Sequence, residues 1–336
     1  MILHPGIIAL LFGSFIVLLL MLRAGVVALE ILWRWDSASS SAVQLRLERR
    51  TWLVSTLLNY AFAFQIFSLF LFIFTADDIH RLFIGAMCAT GALNANLVGW
   101  LVLLLKVGML FAAGIWLAVN HLDQCTEDTP LVRRKYVWLL LLIPVVLLDL
   151  LLQWEYFRGL RPQMITSCCG SLFSSSGEGV MSSLTGLAPL PAAALFFGTV
   201  LLYLLLLITT MVRRAIFLRY LLFVAALLLF FAGMLGLVSF LSLYIYQMPG
   251  HHCPFDMLQG HYGFIGYPIY AGLFLATLAA MLPGICHPLA RGSTSLTREL
   301  ERCEKLWLRL ALFGVLLFLL CACWQMVFGP LVLFGY

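Results

Sequence analysis

The sequence predicts an all-α fold, a polytopic membrane bundle of about eight transmembrane helices with both termini outside. Of its 336 residues, 63% are hydrophobic and 10% are charged, whereas a soluble domain carries roughly 25% charged residues. Apolar runs of about 20 residues, long enough to cross a ~30 Å hydrocarbon core, recur along the whole chain. Because these runs are solidly apolar and do not alternate with polar residues, a membrane β-barrel is excluded.

Hydropathy divides the chain into eight spans within a single transmembrane domain, 1–336. The predicted spans are 7–33, 51–75, 93–119, 136–153, 189–211, 216–246, 264–283 and 306–328. The first residues lack the basic region and cleavage site of a signal peptide, so the first span is expected to remain in the mature chain. No connection is long enough to form a soluble domain.

Basic residues mark the orientation of the spans. Four alternate connections contain 14 of the 20 lysines and arginines, and the positive-inside rule places those connections in the cytoplasm. Both termini and three cysteine-bearing loops, 76–92, 154–188 and 247–263, are then external. The expected location is a plasma membrane or a bacterial inner membrane. Since the basic residues flank spans, the net charge of +5 reflects topology, and no nucleic acid partner is expected.

Four of the nine cysteines lie in the external loops: Cys88, Cys168, Cys169 and Cys253. In an oxidising exterior this even set predicts two disulfides, and sequence leaves three connectivities open. In one arrangement Cys168 and Cys169 reach Cys88 and Cys253 and staple the three loops into one cap. The protein would then be a structural membrane anchor.

The same loops could instead hold a metal ion. His251 and His252 directly precede Cys253, and Cys168 and Cys169 add two more thiols. Thiolate and imidazole ligands favour copper or zinc. These five residues are therefore the metal-ligand candidates, although none of the standard zinc-ligand spacings is present.

Thiol redox chemistry is a third hypothesis. Cys321 and Cys323, in the outer half of the last span, are candidates for an inner pair that passes electrons to a quinone. The stretch from Cys253 to Pro268 resembles membrane thiol oxidoreductases of the vitamin K epoxide reductase type, which also place a glycine and a proline at the start of the span after the cysteine. The resemblance covers one or two loops and implies a quinone-linked thiol/disulfide oxidoreductase. The chain departs from that pattern because it has no Cys-x-x-Cys.

Two charged residues inside predicted spans complete the set of catalytic candidates. Each intramembrane charge costs roughly 2.5–3.5 kcal/mol at a helix centre, so such residues are functional candidates by default. Lys106 lies midway through the third span and Asp149 near the outer end of the fourth. The lysine stem can extend outward to meet Asp149. The pair could fix helix packing, or it could form a proton or ion relay.

The sequence thus favours an external, thiol-linked function. No haem ligands are evident, because no histidine lies centrally in a span and Cys-x-x-Cys-His is absent. We expect a subunit of a larger membrane redox or transport complex that handles thiols or soft metal ions. Its expected partners are the lipid bilayer and other membrane or extracytoplasmic subunits. Whether the chain is itself an enzyme is left open by the sequence.

Overall fold

The protein is an integral membrane bundle of helices. The computed structural model describes residues 3–36, 41–126, 128–162, 164–166, 189–213, 215–291 and 293–333. Within these residues, eight helices are long and apolar enough to cross a membrane, which confirms the predicted fold class. Helix length and composition carry no information about which side the termini face, so the external termini stay a prediction.

The chain forms ten α-helices among the described residues. They are α1 (Pro5–Arg34), α2 (Ala42–Ile79), α3 (Ala89–Asn94), α4 (Val98–Gln124), α5 (Val132–Gly159), α6 (Pro189–Arg213), α7 (Ile216–Gly236), α8 (Ser242–Tyr246), α9 (Gly266–Ala290) and α10 (Thr294–Phe328). A π-helical turn, Leu237–Leu241, joins α7 to α8, so that together they make one span, Ile216–Tyr246. Single 3₁₀ turns lie at His80–Leu82, Asp256–Leu258 and Gly260–Tyr262.

The predicted third span, 93–119, is shifted in the structure. A short helix, α3, occupies its expected start, and the spanning helix α4 begins at Val98. The break has a local cause. The Asn96 side-chain oxygen accepts a hydrogen bond from the Val98 backbone N–H at 3.1 Å. Asparagine in this arrangement competes with a continuing helix and favours a new start.

The helices are divided between two compact units. Unit 1 comprises Met1–Thr75, Ala95–Met164 and Leu289–Leu300, and unit 2 comprises Ala76–Asn94, Ile165–Pro288 and Glu301–Tyr336. The single-domain prediction concerns the chain as a whole, and it stays a prediction.

In unit 1, helices α1 and α5 pack closely through small residues. A side chain at Gly25 would place its Cβ 2.8 Å from the end of the Ile143 side chain, which would then have to move. Towards the other side of the same core, the rings of Phe62 and Trp116 pack with their centroids 4.7 Å apart. These contacts bury the apolar faces that the sequence pattern provides.

In unit 2, helices α9 and α10 approach backbone to backbone. A Cβ on Gly272 would lie 2.9 Å from the Gly314 carbonyl oxygen, and a Cβ on Gly314 would lie 2.6 Å from the Ala276 backbone nitrogen. Glycines at facing positions are the usual means of close helix packing in a membrane. The Tyr203 hydroxyl of α6 donates to the Ala276 carbonyl at 2.8 Å, which ties a third helix to this contact.

A buried ion pair connects α7 to α10 within unit 2. Arg219 donates to both carboxylate oxygens of Glu304, at 2.9 and 2.7 Å. Their exposed fractions are 7% and 0%, so the pair is largely withdrawn from solvent. Two parallel hydrogen bonds fix the guanidinium and carboxylate in one relative geometry.

Replacing one partner of this pair should destabilise the protein strongly. We expect Glu304→Ala to lower the free energy of unfolding by about 3–5 kcal/mol, because it leaves a buried guanidinium without its counter-charge. Titration of the detergent-solubilised protein with sodium dodecyl sulfate, followed by circular dichroism, measures this. Arg50→Ala is the matched control, since the Arg50–Glu30 pair is solvent-accessible and should contribute no more than about 1 kcal/mol. Equal effects of the two substitutions would contradict the assignment.

Candidate functional site

Two of the predicted external cysteines meet in unit 2. Cys88 lies just before α3, and Cys253 lies in the loop after α8. Their Sγ atoms are 3.4 Å apart, which is longer than the roughly 2.05 Å of a disulfide bond. Both residues have an exposed fraction of 0%. The thiols are therefore in contact and shielded from solvent.

A carboxylate completes the cluster. The two sulfur atoms and a carboxylate oxygen of Asp256 all lie within 4.8 Å of one another. His251 Nε2 contacts Oδ2 of Asp256. Oδ1 of Asp256 is buried and has no hydrogen-bond partner among the described residues. Buried acceptors nearly always have a partner, so this oxygen indicates a site that can take a cation or a donor. We call Cys88, Cys253 and Asp256 the thiol–carboxylate cluster.

Two further hydrogen-bonding groups lie beside the sulfur of Cys253. The Phe255 backbone N–H donates to Cys253 Sγ at 3.4 Å, and Thr90 Oγ1 lies 3.5 Å from the same sulfur. The thiolate is the form of cysteine that binds metals.

Two tyrosines hold the loop that carries Cys253. Tyr246, at the end of α8, donates to the Cys253 carbonyl at 2.5 Å and accepts from the Met257 N–H at 2.9 Å. Tyr270, on α9, donates to the Pro254 carbonyl at 2.6 Å. The loop backbone is thereby fixed from two helices, and Cys253 and Asp256 are both presented to Cys88.

Asp77, near the end of α2, holds the loop that carries Cys88. Its Oδ1 accepts from the Ala89 N–H at 3.1 Å and from the Gln259 side-chain amide at 2.9 Å. The same amide donates to the Met87 carbonyl at 2.9 Å. Asp77 and Gln259 therefore join the backbone on either side of Cys88 to the loop after Cys253.

Sequence reasoning did not single out Asp77, Asp256 or Gln259. Asp256 had a weak signal, since it follows Cys253 by three residues. Asp77 and Gln259 had none, because their importance depends on which backbone groups the fold brings beside them.

The other predicted ligands are placed differently. His251 contacts the cluster through Asp256, while His252 Nδ1 lies 2.9 Å from the Val238 carbonyl oxygen of the π-helical turn. Cys168 and Cys169 lie outside the described residues. The chain can be followed to Thr166, whose N–H donates to the Ile84 carbonyl at 3.0 Å.

Cys321 lines a separate cavity in unit 2, and Cys323 is partly buried on the same helix. The cavity measures about 560 Å³. Its lining includes His261, Tyr262, Cys321, Trp324 and Gln325. Burial, followed by the charges of Asp256 and Cys253, raises the pKa of Tyr262, which keeps its hydroxyl protonated and able to donate.

Lys106 and Asp149 form an ion pair in unit 1, as their positions in the sequence allow. The Lys106 Nζ lies 3.2 Å from Asp149 Oδ2, and both side chains are fully buried. This pair and the thiol–carboxylate cluster belong to different units.

The fold and the cluster define a class: an integral membrane protein whose described residues form eight helices able to span a membrane and a buried thiol–carboxylate cluster. Comparison with family models, with curated proteins and with solved structures finds no match.

If Asp77 fixes the position of Cys88, its removal should expose the buried thiol. We expect Asp77→Ala to raise the rate of maleimide alkylation at Cys88 by about tenfold or more, because hydrogen bonds to a charged group are lost and local opening becomes easier. Peptide mass spectrometry of protein kept under reducing conditions measures this rate residue by residue. Asp78→Ala is the control, since Asp78 is exposed on the same helix and should leave the rate unchanged. An unchanged rate in Asp77→Ala would show that Asp77 does not position Cys88.

Proposed function

We propose that this protein binds a thiophilic metal ion, most favourably Zn²⁺, at Cys88, Cys253 and Asp256, and handles it at the extracytoplasmic face of the membrane. The observation that carries the proposal is the buried Oδ1 of Asp256, which has no hydrogen-bond partner among the described residues and belongs to a carboxylate clustered with two thiol sulfurs.

The spacing of the sulfur atoms supports a metal. Tetrahedral zinc, with Zn–S bonds of about 2.3 Å, holds two sulfur ligands about 3.7 Å apart. The observed separation of 3.4 Å needs only a small side-chain adjustment. A bridging ion would therefore fit between Cys88 and Cys253 without a change of backbone.

Charge and ligand type support zinc over copper. Two thiolates and a carboxylate would repel one another, and a divalent cation offsets that repulsion. Zn²⁺ accepts sulfur and carboxylate oxygen together, whereas Cu⁺ prefers sulfur ligands. His251, in contact with Oδ2 of Asp256, would orient the carboxylate, as the hydrogen-bond partners of metal ligands commonly do.

The predicted cysteines Cys168 and Cys169 remain candidates for the remaining coordination positions. Thr166 is fixed to Ile84, and Cys168 follows it by two residues. In the alternative prediction, the four cysteines form disulfides that staple the loops.

The external position of the cluster follows from the distribution of Lys and Arg. Membership of a larger redox or transport complex, and the choice between a plasma membrane and a bacterial inner membrane, remain predictions of the sequence.

A second candidate function is a quinone-linked thiol/disulfide oxidoreductase. The contact between the Cys88 and Cys253 sulfurs and the cavity beside Cys321 favour it, because 560 Å³ lies in the usual size range of small-molecule sites. Oxidation of the two thiols to a disulfide would deliver two electrons and two protons, which reduce one quinone to a quinol. The carboxylate of Asp256 opposes formation of the attacking thiolate, so we rank this function second.

Zinc content tests the first proposal. The full chain, purified in detergent under reducing conditions and passed through a desalting column after zinc loading, should retain about one zinc per chain. Cys88→Ser, Cys253→Ser and Asp256→Ala should each weaken zinc binding by about tenfold or more, as expected for the loss of a ligand. Plasma mass spectrometry gives the metal content, and Co²⁺ substitution should produce a cobalt–thiolate absorption band.

Cys125→Ser is the matched control, because Cys125 is exposed in unit 1 and should leave the zinc content unchanged. Two results would contradict the proposal: full zinc retention in Cys253→Ser, or a disulfide at Cys88 or Cys253 that persists under strong reductant. A disulfide that forms and breaks on addition of quinone and quinol would support the second candidate.

Topology is tested separately with reporter fusions in a bacterial host. Alkaline phosphatase, which is active only outside the cytoplasm, should be active when fused after Tyr336. Green fluorescent protein should fluoresce when fused after Arg213, in one of the basic connections that the positive-inside rule assigns to the cytoplasm. The opposite pattern would place the thiol–carboxylate cluster at the cytoplasmic face.

A further inference from the structure

A second polar cluster lies inside the spanning helices of unit 1. Lys106 of α4 donates to Asp149 of α5 at 3.2 Å and to Ser68 of α2 at 3.1 Å. Gln153, one helical turn beyond Asp149, donates to Asp149 Oδ2 at 2.8 Å and to Ser14 of α1 at 3.2 Å. All five side chains have an exposed fraction of 0%.

Two oxygen atoms in this cluster accept no hydrogen bond from the described residues. Asp149 Oδ1 and Gln153 Oε1 are buried and have no hydrogen-bond partner among the residues that the structure describes. They belong to side chains one turn apart on α5, which places them on the same helix face. Carboxylate and amide oxygens are the ligands that hard cations prefer.

A second buried ion pair in unit 1 allows a comparison. Lys135 Nζ lies 2.8 Å from Asp123 Oδ2 and donates to Asn120 at 2.9 Å. The other carboxylate oxygen of Asp123 accepts the Leu131 N–H at 2.7 Å. Oδ2 of Asp123 also lacks a hydrogen bond of good geometry, but it lies 2.8 Å from the Lys135 ammonium nitrogen. Oδ1 of Asp149 has no hydrogen-bond partner among the described residues.

Electrostatics limits what the Lys106 cluster can bind. In the described part of the chain, the charged group that contacts Lys106 is Asp149. From α2, Ser68 accepts a hydrogen bond from Lys106, and the centroid of the Phe72 ring lies 6.0 Å from Lys106 Nζ. The ion pair is neutral overall. An added cation would leave a net positive charge within the spans, which is costly at membrane depth. Neutrality is kept if Lys106 gives up a proton as the cation enters.

We propose that Lys106, Asp149 and Gln153 form a site at which an alkali cation of the size of Na⁺ exchanges for the proton of Lys106. The lysine ammonium leaves the carboxylate as a neutral amine, its proton passes to solvent, and the cation takes its place beside Asp149. Charge balances, since one cation enters for each proton released. This site is independent of the proposed metal centre.

Proton release on addition of Na⁺ tests the exchange. The detergent-purified full chain is held in weak buffer with a chelator, so that the thiol–carboxylate cluster carries no metal, and NaCl is added. We expect release of about one proton per chain, as neutrality at the site requires, and no release with choline chloride. The release should disappear in Lys106→Met and Asp149→Asn and persist in Lys135→Met, which removes an equally buried lysine.

Gln153→Met keeps the ion pair and serves if the charge variants fail to fold. Because it removes one candidate ligand oxygen, the Na⁺ concentration for half-maximal proton release should rise by about tenfold. Equal release with choline, release that persists in Lys106→Met, or an unchanged Na⁺ dependence in Gln153→Met would each overturn the proposal.

Discussion

A charged side chain inside a bilayer must find its counter-charge within the protein, because no water is there to solvate it. Helices α4 and α5 each supply the counter-charge for the other. Each carries one lysine and one aspartate, and the pairs Lys106–Asp149 and Asp123–Lys135 lie at opposite ends of the antiparallel hairpin. A shift of one helix along the other would break both pairs at once. The register of this hairpin is therefore fixed by charge, and unit 1 is assembled around it.

Buried polar groups have the same need for a partner, so buried oxygens without one are informative. In unit 2, Tyr246, Tyr270 and Asp77 satisfy the backbone groups of the two cysteine loops, yet the carboxylate of Asp256 keeps one buried oxygen without a partner. In unit 1, the carboxylate of Asp149 does the same. A protein interior that pairs nearly all of its polar groups leaves such oxygens where a ligand can supply the missing partner. Both proposals rest on this contrast.

Hydropathy and charge distribution predicted the spans because a bilayer imposes length and composition on every helix that crosses it. The Lys106–Asp149 ion pair could also be predicted from the sequence, since consecutive antiparallel spans place the two residues at similar depths. Asp77 had no sequence signal, and Asp256 had only a weak one, its position three residues after Cys253. Each is one carboxylate near the end of an element, and its role comes from the Ala89 N–H or the thiol sulfurs that the fold brings beside it. The span ends were predicted only to within several residues, and the start of α4 at Val98 follows a side-chain hydrogen bond at Asn96.

By itself, the sequence determined that this is a membrane protein of about eight predicted spans, and it singled out four loop cysteines, Cys88, Cys168, Cys169 and Cys253, as candidate functional residues. These conclusions need only local composition and the thickness of a bilayer. The tertiary structure decided that two of these thiols touch, that Asp256 joins them, and that Lys106 faces a carboxylate with an unused oxygen. Contacts between residues as distant as Cys88 and Cys253 depend on how helices pack, and packing is set by the whole set of side chains at once.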